Sequence, residues 1–289
     1  MLRDSSIHAA CAALLLLAAT AGRAAAESAW TLERGGYSFE NSFVLRSTEE
    51  IYDAEGNKVT VTDAKLKEFS NVTNVEYGVR DKLGFRFQVP VRSLNLEPTQ
   101  GTDPNLINTG FADMTFGLRY RAVENTMVVS VQADAVLAPG YYEAFSVPEL
   151  GHGRFQYGGQ VLVGRTFETL RGYGQLGGGY RVVTGGRADL LLGHAEVGMF
   201  VANPVRVRAL WHYNDHTGDG PYENEFGARL TGDYRLSNKI QFSAGADRTF
   251  GGQNVEAGTY FFVGVSVRGN SLGKYEGPLS STLEADASE

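Results

Sequence analysis

Cysteine is almost missing from the chain: Cys11 stands alone, ahead of a leucine-rich run near the N-terminus. Around it, Arg3, an apolar stretch over 9–20 and the small residues up to Ala24, Ala25 and Ala26 read as a secretory signal peptide cleaved after residue 26. Cys11 lies before the main leucine run, so it is not a lipidated first residue, and the mature chain holds no thiol, disulfide or thiolate metal site. Long apolar runs are missing too. The signal's run falls short of the roughly 20 residues of a membrane-spanning helix, and no later stretch approaches that length. Basic excess is absent: after residue 26 there are 24 Lys+Arg against 32 Asp+Glu, a net charge of -8. Nucleic acid is thereby excluded as a partner, since phosphate binding needs a basic patch. Helical periodicity is hard to find beyond the signal.

The whole chain has 36 glycines, 16 phenylalanines and 14 tyrosines, a mixture that favours β structure with close backbone approaches. In residues 205–214, Val205, Val207, Ala209, Trp211 and Tyr213 fall on one face of an extended strand and Arg206, Arg208, Leu210, His212 and Asn214 on the other. Residues 83–92 repeat the device. Period-two runs and turn signals predict about twelve strands, near 36–46, 66–79, 83–93, 110–121, 126–137, 155–166, 170–183, 189–201, 205–214, 222–234, 239–248 and 256–267. Most exceed the mode of about 5–6 residues in soluble sheets and suit the roughly 9–11 needed to cross a membrane at a tilt.

Connections after even strands are tight and those after odd strands are longer, at 47–65, 94–109, 138–154, 184–188, 215–221 and 249–255. Short turns alternating with longer loops are the layout of outer-membrane barrels. The expected fold is therefore all-β: an antiparallel up-and-down transmembrane β-barrel of about twelve strands, with short periplasmic turns and longer extracellular loops. It occupies 27–267, behind the 1–26 signal peptide. A periplasmic or flexible tail follows at 268–289, without the terminal aromatic strand in which many such barrels end.

Periodicity alone does not say which face is outside, because a soluble barrel would turn its apolar face inward. Strand length, loop rhythm and aromatics near strand ends decide it. Tyr77, Tyr120, Phe200 and Tyr234 lie towards the turns, and Phe43, Phe155, Tyr157, Tyr180, Trp211 and Tyr213 towards the loops, as two interface girdles. The polar face then lines the lumen: Arg86, Arg92, Asp113, Arg119, Asp134, Arg181, His194, Glu196, Arg206, Arg208, His212, Glu223, Glu225 and Arg229. Inward Tyr173, Tyr260 and Phe262 would narrow the bore or offer a path for apolar solutes.

Residues 110–120 (GFADMTFGLRY) resemble the G-x-G-D-x-x-x-G-x-x-Y stretch of a family of outer-membrane transporters named after the meta-cleavage pathway of phenol degradation. Residues 75–79 leading through Asp81, Lys82 and Leu83, and the Ala138-Pro139-Gly140 corner, fit as well. Ala112 replaces the second glycine, and no small polar residue separates Pro139 from Gly140. The resemblance implies an outer-membrane barrel passing small, often hydrophobic, compounds, and brings no catalytic motif.

Chemistry beyond passage has few places to occur. The histidines after the signal are His152, His194, His212 and His216. A Ser–His–amide site like that of an outer-membrane phospholipase needs a histidine paired with an outward serine, yet His194 and His212 sit on the lumen face. His194, Glu196 and His212 have spacing for an open metal site, against which stands an ion-pair ladder of Glu196 with Arg206 or Arg208, and of Arg208 or His212 with Glu223 or Glu225. The acids of the first loop (Glu49, Glu50, Asp53, Glu55, Asp63) read as a solvated face. Gly177, Gly178 and Gly179 lack the lysine and helix of a phosphate loop and suit a bend in the wall. The expected function is a monomeric, non-enzymatic outer-membrane channel, needing no cofactor, for small hydrophobic or aromatic molecules, surrounded by outer-membrane lipid. The alternatives are a barrel with a plugged lumen whose loops meet partners, and a lipid-modifying enzyme.

Overall fold

The computed structural model describes residues 28–61, 64–98, 105–138, 150–151, 153–185, 188–217 and 223–270. The signal peptide and the tail after 270 lie outside them. In chain order the strands are β1 (Gly36–Thr48), β2 (Glu50–Tyr52), β3 (Lys58–Thr60), β4 (Ala64–Arg80), β5 (Leu83–Pro98), β6 (Leu106–Phe111), β7 (Met114–Glu124) and β8 (Val128–Leu137). They continue with β9 (Gln156–Phe167), β10 (Gly172–Val183), β11 (Asp189–Ala202), β12 (Val205–Thr217), β13 (Asn224–Arg235), β14 (Ile240–Gln253), β15 (Val255–Ala257) and β16 (Thr259–Asn270).

Each long strand pairs antiparallel with its sequence neighbours, and β1 meets β16 from Gly36 opposite Asn270 to Arg46 opposite Tyr260. With β4 paired to both β1 and β5, the sheet closes on itself. Strands β6 and β7 both pair with β5 and form one wall strand broken at Ala112 and Asp113, so the wall has twelve strands. The break has a local cause. Pro90 on β5 has no N–H to give, and its carbonyl accepts instead from the Ala112 N–H at 2.9 Å, the kind of irregular site where a strand tolerates proline.

Inside and outside are reversed relative to a soluble protein. Leu45, Phe69, Leu118, Val161, Leu176, Val197, Leu230, Phe261 and Val263 all point outward and are about half exposed. Arg46, Glu68, Gln132, Asp134, Glu196, His212 and Asp233 are nearly fully buried. An apolar belt with no water-shielding layer and a polar interior describe a membrane-spanning barrel, because lipid covers the belt and closure leaves no unpaired edge. One end carries the tight connections at 81–82, 125–127 and 203–204. The other carries the longer loops and a rim sheet in which β2 pairs with both β15 and β3. The strands, their order and this asymmetry match the sequence-based expectation. Phe200 does not: it lies under the Arg206 and Arg235 guanidinium groups, at 5.9 and 5.4 Å, rather than in the lipid-facing girdle.

Candidate functional site

Because the wall alternates apolar-out and polar-in, every strand contributes polar side chains to one enclosed space, a lumen with a cavity of 660 Å³. Four bonded networks surround it. In the loop-side half, Arg46 from β1 bridges Glu68 of β4 at 3.1 Å and Glu256 at 3.2 Å, bonds the Tyr260 hydroxyl and lies over that ring. Arg92 from β5 closes on Glu68 at 2.9 Å and donates to the Leu150 carbonyl at 2.8 Å, tying the β8–β9 loop into the barrel mouth. There Leu150 packs with Leu94, Ala112 and Leu66.

Across β7, β8 and β9, Arg119 donates to Gln132 at 2.8 Å, and Gln132 and Gln160 both donate to Asp134. On β11 to β14, Arg206 and Arg208 converge on Asp233 at 2.8 and 2.7 Å, and Glu196 accepts from the Tyr173 hydroxyl and stands 3.9 Å from Arg208. Nearer the loops, His212 and Arg229 share Asp247 at 2.7 and 2.8 Å.

At the turn end the chain itself forms a partial stopper in the lumen, past which the cavity still reaches Arg235 and residues 237–241. Residues 28–34 run inside the wall before β1 begins. Ala29, with no exposed surface, donates its N–H to Gln175 at 3.0 Å and accepts from the Ser130 hydroxyl at 2.5 Å. The Trp30 carbonyl takes a bond from Arg119 at 3.2 Å, and its ring meets Tyr173 edge-on at 5.8 Å. Ala29 also packs on Val128 and Leu162, with Trp30 against them. Two inward glycines make the seat: a Cβ on Gly164 would lie 2.7 Å from the Trp30 ring, and one on Gly78 only 1.8 Å from the Glu33 carbonyl oxygen.

Of the residues predicted for the lumen, Arg86, Arg92, Asp113, Arg181, His194, Glu196, Arg206, Arg208, Glu225 and Arg229 border the cavity. Arg119, Asp134 and His212 are buried in the networks behind it. Glu223 precedes β13 and enters through its backbone, where the carbonyl accepts from the His216 N–H. Of the expected ladder, Glu196 does stand against Arg208 at 3.9 Å, but the pairs expected with Glu223 and Glu225 are made by other acids. Asp233, absent from the predicted set, binds both arginines, while Glu225 accepts from Thr249 at 2.9 Å. Asp233 continues the period of Arg229 and Thr231, as Arg46 and Glu68 do on their strands; alternation alone could have found all three. Nothing in the sequence marks residues 28–34, which have no periodicity.

His194 and His212 stand opposite each other in register and both face inward. The His194 ring occupies the space left by Gly177, where a Cβ would come within 2.2 Å of it, so that glycine makes room for a side chain as well as allowing curvature. His212 Nδ1 has no hydrogen-bond partner among the described residues, and no group of three or more metal-binding side chains occurs among them.

No family model matches the chain, and no curated protein matches its sequence. Solved structures do match. An outer membrane channel from Pseudomonas putida F1 aligns with a TM-score of 0.65 and 15% identity, covering 86% of this chain and 100% of that one. The translocator domain of the autotransporter NalP from Neisseria meningitidis gives 0.53 and 11%, covering 92% and 98%. The KdgM porin gives 0.51 and 7%, covering 80% and 98%. At these identities the likeness is one of fold.

Proposed function

We propose that the chain is a narrow channel of the bacterial outer membrane for small solutes that join an apolar or aromatic body to a polar group. The observation that carries this reading is the mixed lining of the closed lumen. Inward Val72, Val44 and Phe262 on the adjacent strands β4, β1 and β16 give an apolar stripe, with Leu190 and Leu192 on β11, between networks of paired charge. Rings of charge tune what crosses a pore, and an apolar stripe lets a ring slide without losing hydrogen bonds. The structural neighbours, described as a channel and a porin, support the same class of function.

The seated 28–34 segment favours a second reading, a barrel kept shut. Planar-bilayer recording on the mature chain and on one lacking residues 27–34 separates the two. A channel gives a larger or more frequent conductance once the segment is removed, and liposomes holding the shortened barrel take up benzoate faster than a disaccharide of similar charge state. Silence from both proteins in folded form overturns the channel reading.

A further inference from the structure

A second concavity, 810 Å³ in volume, lies on the outside of the barrel where the wall meets the loop-side rim. Its lower part is wall: Leu45 of β1 and Phe261 of β16, opposite each other in register and 54% and 61% exposed. Its upper part is polar, with the hydroxyls of Ser47 and Thr259 and the β2–β3 hairpin overhead. Lys58 and Lys65 border it, held by Glu50 at 2.6 Å and Glu49 at 2.7 Å in exposed pairs that solvent screens.

Arg248 gives this groove a cation on the outer wall. It has the same outward parity on β14 as Phe242 and Phe250, two residues nearer the membrane centre than Phe250, over whose ring its guanidinium reaches at 5.9 Å. It pairs with no carboxylate among the described residues. A cation on the lipid face is unfavourable at depth and tolerated near the interface, where a long side chain snorkels to the headgroups. A cation and hydroxyl donors directly above exposed apolar wall match a phosphate group above acyl chains, and charge-assisted bonds to phosphate are the strong ones.

We propose that this groove binds the headgroup of a phosphate-bearing lipid of the outer leaflet, with Arg248 as its main phosphate ligand, Lys58 and Lys65 in support, and Leu45 and Phe261 against the first acyl carbons. Native mass spectrometry of the folded barrel in non-ionic detergent tests it, using lipid A, phosphatidylglycerol and uncharged diacylglycerol as probes. Heat-modifiable gel migration verifies folding of each variant.

The expected result is one retained phosphate-bearing lipid per barrel, no retention of diacylglycerol, and no competition by millimolar inorganic phosphate. Arg248→Gln should lower retention about tenfold, the loss of one charge-assisted bond, and Thr259→Trp, which fills the groove without removing charge, should lower it comparably. Arg165→Gln is the control. Arg165 is outward on β9 at the opposite rim, 5.6 Å from the Phe167 ring, and is not among the residues lining this groove. Its loss should change nothing. Retention unaffected by Arg248→Gln and Thr259→Trp, equal loss with Arg165→Gln, equal uptake of diacylglycerol, or displacement by free phosphate each overturns the proposal.

Discussion

Asp233 is the residue on which one side of the lumen turns, because two arginines, Arg206 buried and Arg208 partly so, share its single carboxylate. Removing one partner of a buried ion pair leaves an uncompensated charge, at a cost of about 3–5 kcal/mol. Asp233→Asn is therefore expected to lower the urea midpoint of the folded barrel strongly. Glu225→Gln, which keeps an oxygen to accept from Thr249, should move it little. In a barrel lacking residues 27–34, Arg208→Ala should shift reversal potentials towards cation selectivity, since Arg208 borders the cavity; an unchanged potential removes it from the conduction path. The two tryptophans report opposite faces. Trp30 is inside against Tyr173, and Trp211 is on the apolar face of β12. Brominated lipids should quench emission from a Trp30→Phe variant, which keeps Trp211, and spare that of Trp211→Phe. Charges on this wall were legible in sequence as a face and not as pairs. Alternation says that Arg208 points inward, but whether it meets Glu196 or Asp233 depends on register and side-chain reach.

Strands were the most legible level. Long period-two runs bounded by turn residues place all twelve wall strands, because a buried-polar and lipid-apolar wall imposes one rule along each. Departures occur where that rule lapses. Residues 106–109 read as loop because Asn108 and Thr109 interrupt the apolar pattern, yet they pair with β5 as β6. The three-residue strands of the rim are too short to show any period. The stopper at 28–34 is held by bonds to Gln175, Ser130 and Arg119, far away in sequence, and carries no local signature. Its seat is nonetheless specific: Gly164→Leu places side-chain atoms where Trp30 and Ala29 now sit. This variant is expected to fold and to conduct more than the mature parent in planar bilayers. Matching conductance would mean that the segment does not limit flow.

For the whole molecule, the reversed interior predicts behaviour before any substrate is known. The mature protein should fractionate with membranes, and its unboiled form should migrate differently from the boiled one on a gel, since a closed ladder resists detergent until heated. The seam where β1 meets β16 joins the two ends of the barrel sequence, and the stopper is anchored beside it, with Asn270 donating to Glu33 at 2.6 Å. That arrangement sets a timetable for assembly. Contacts separated by 146 residues between Ala29 and Gln175, and by 237 between Glu33 and Asn270, are costly in loop-closure entropy and slow to form. The stopper has no completed seat until the hoop of strands exists, so during refolding into detergent the emission of Trp30 should change last, together with the appearance of the heat-modifiable band, and that one tryptophan becomes a clock for the moment of closure.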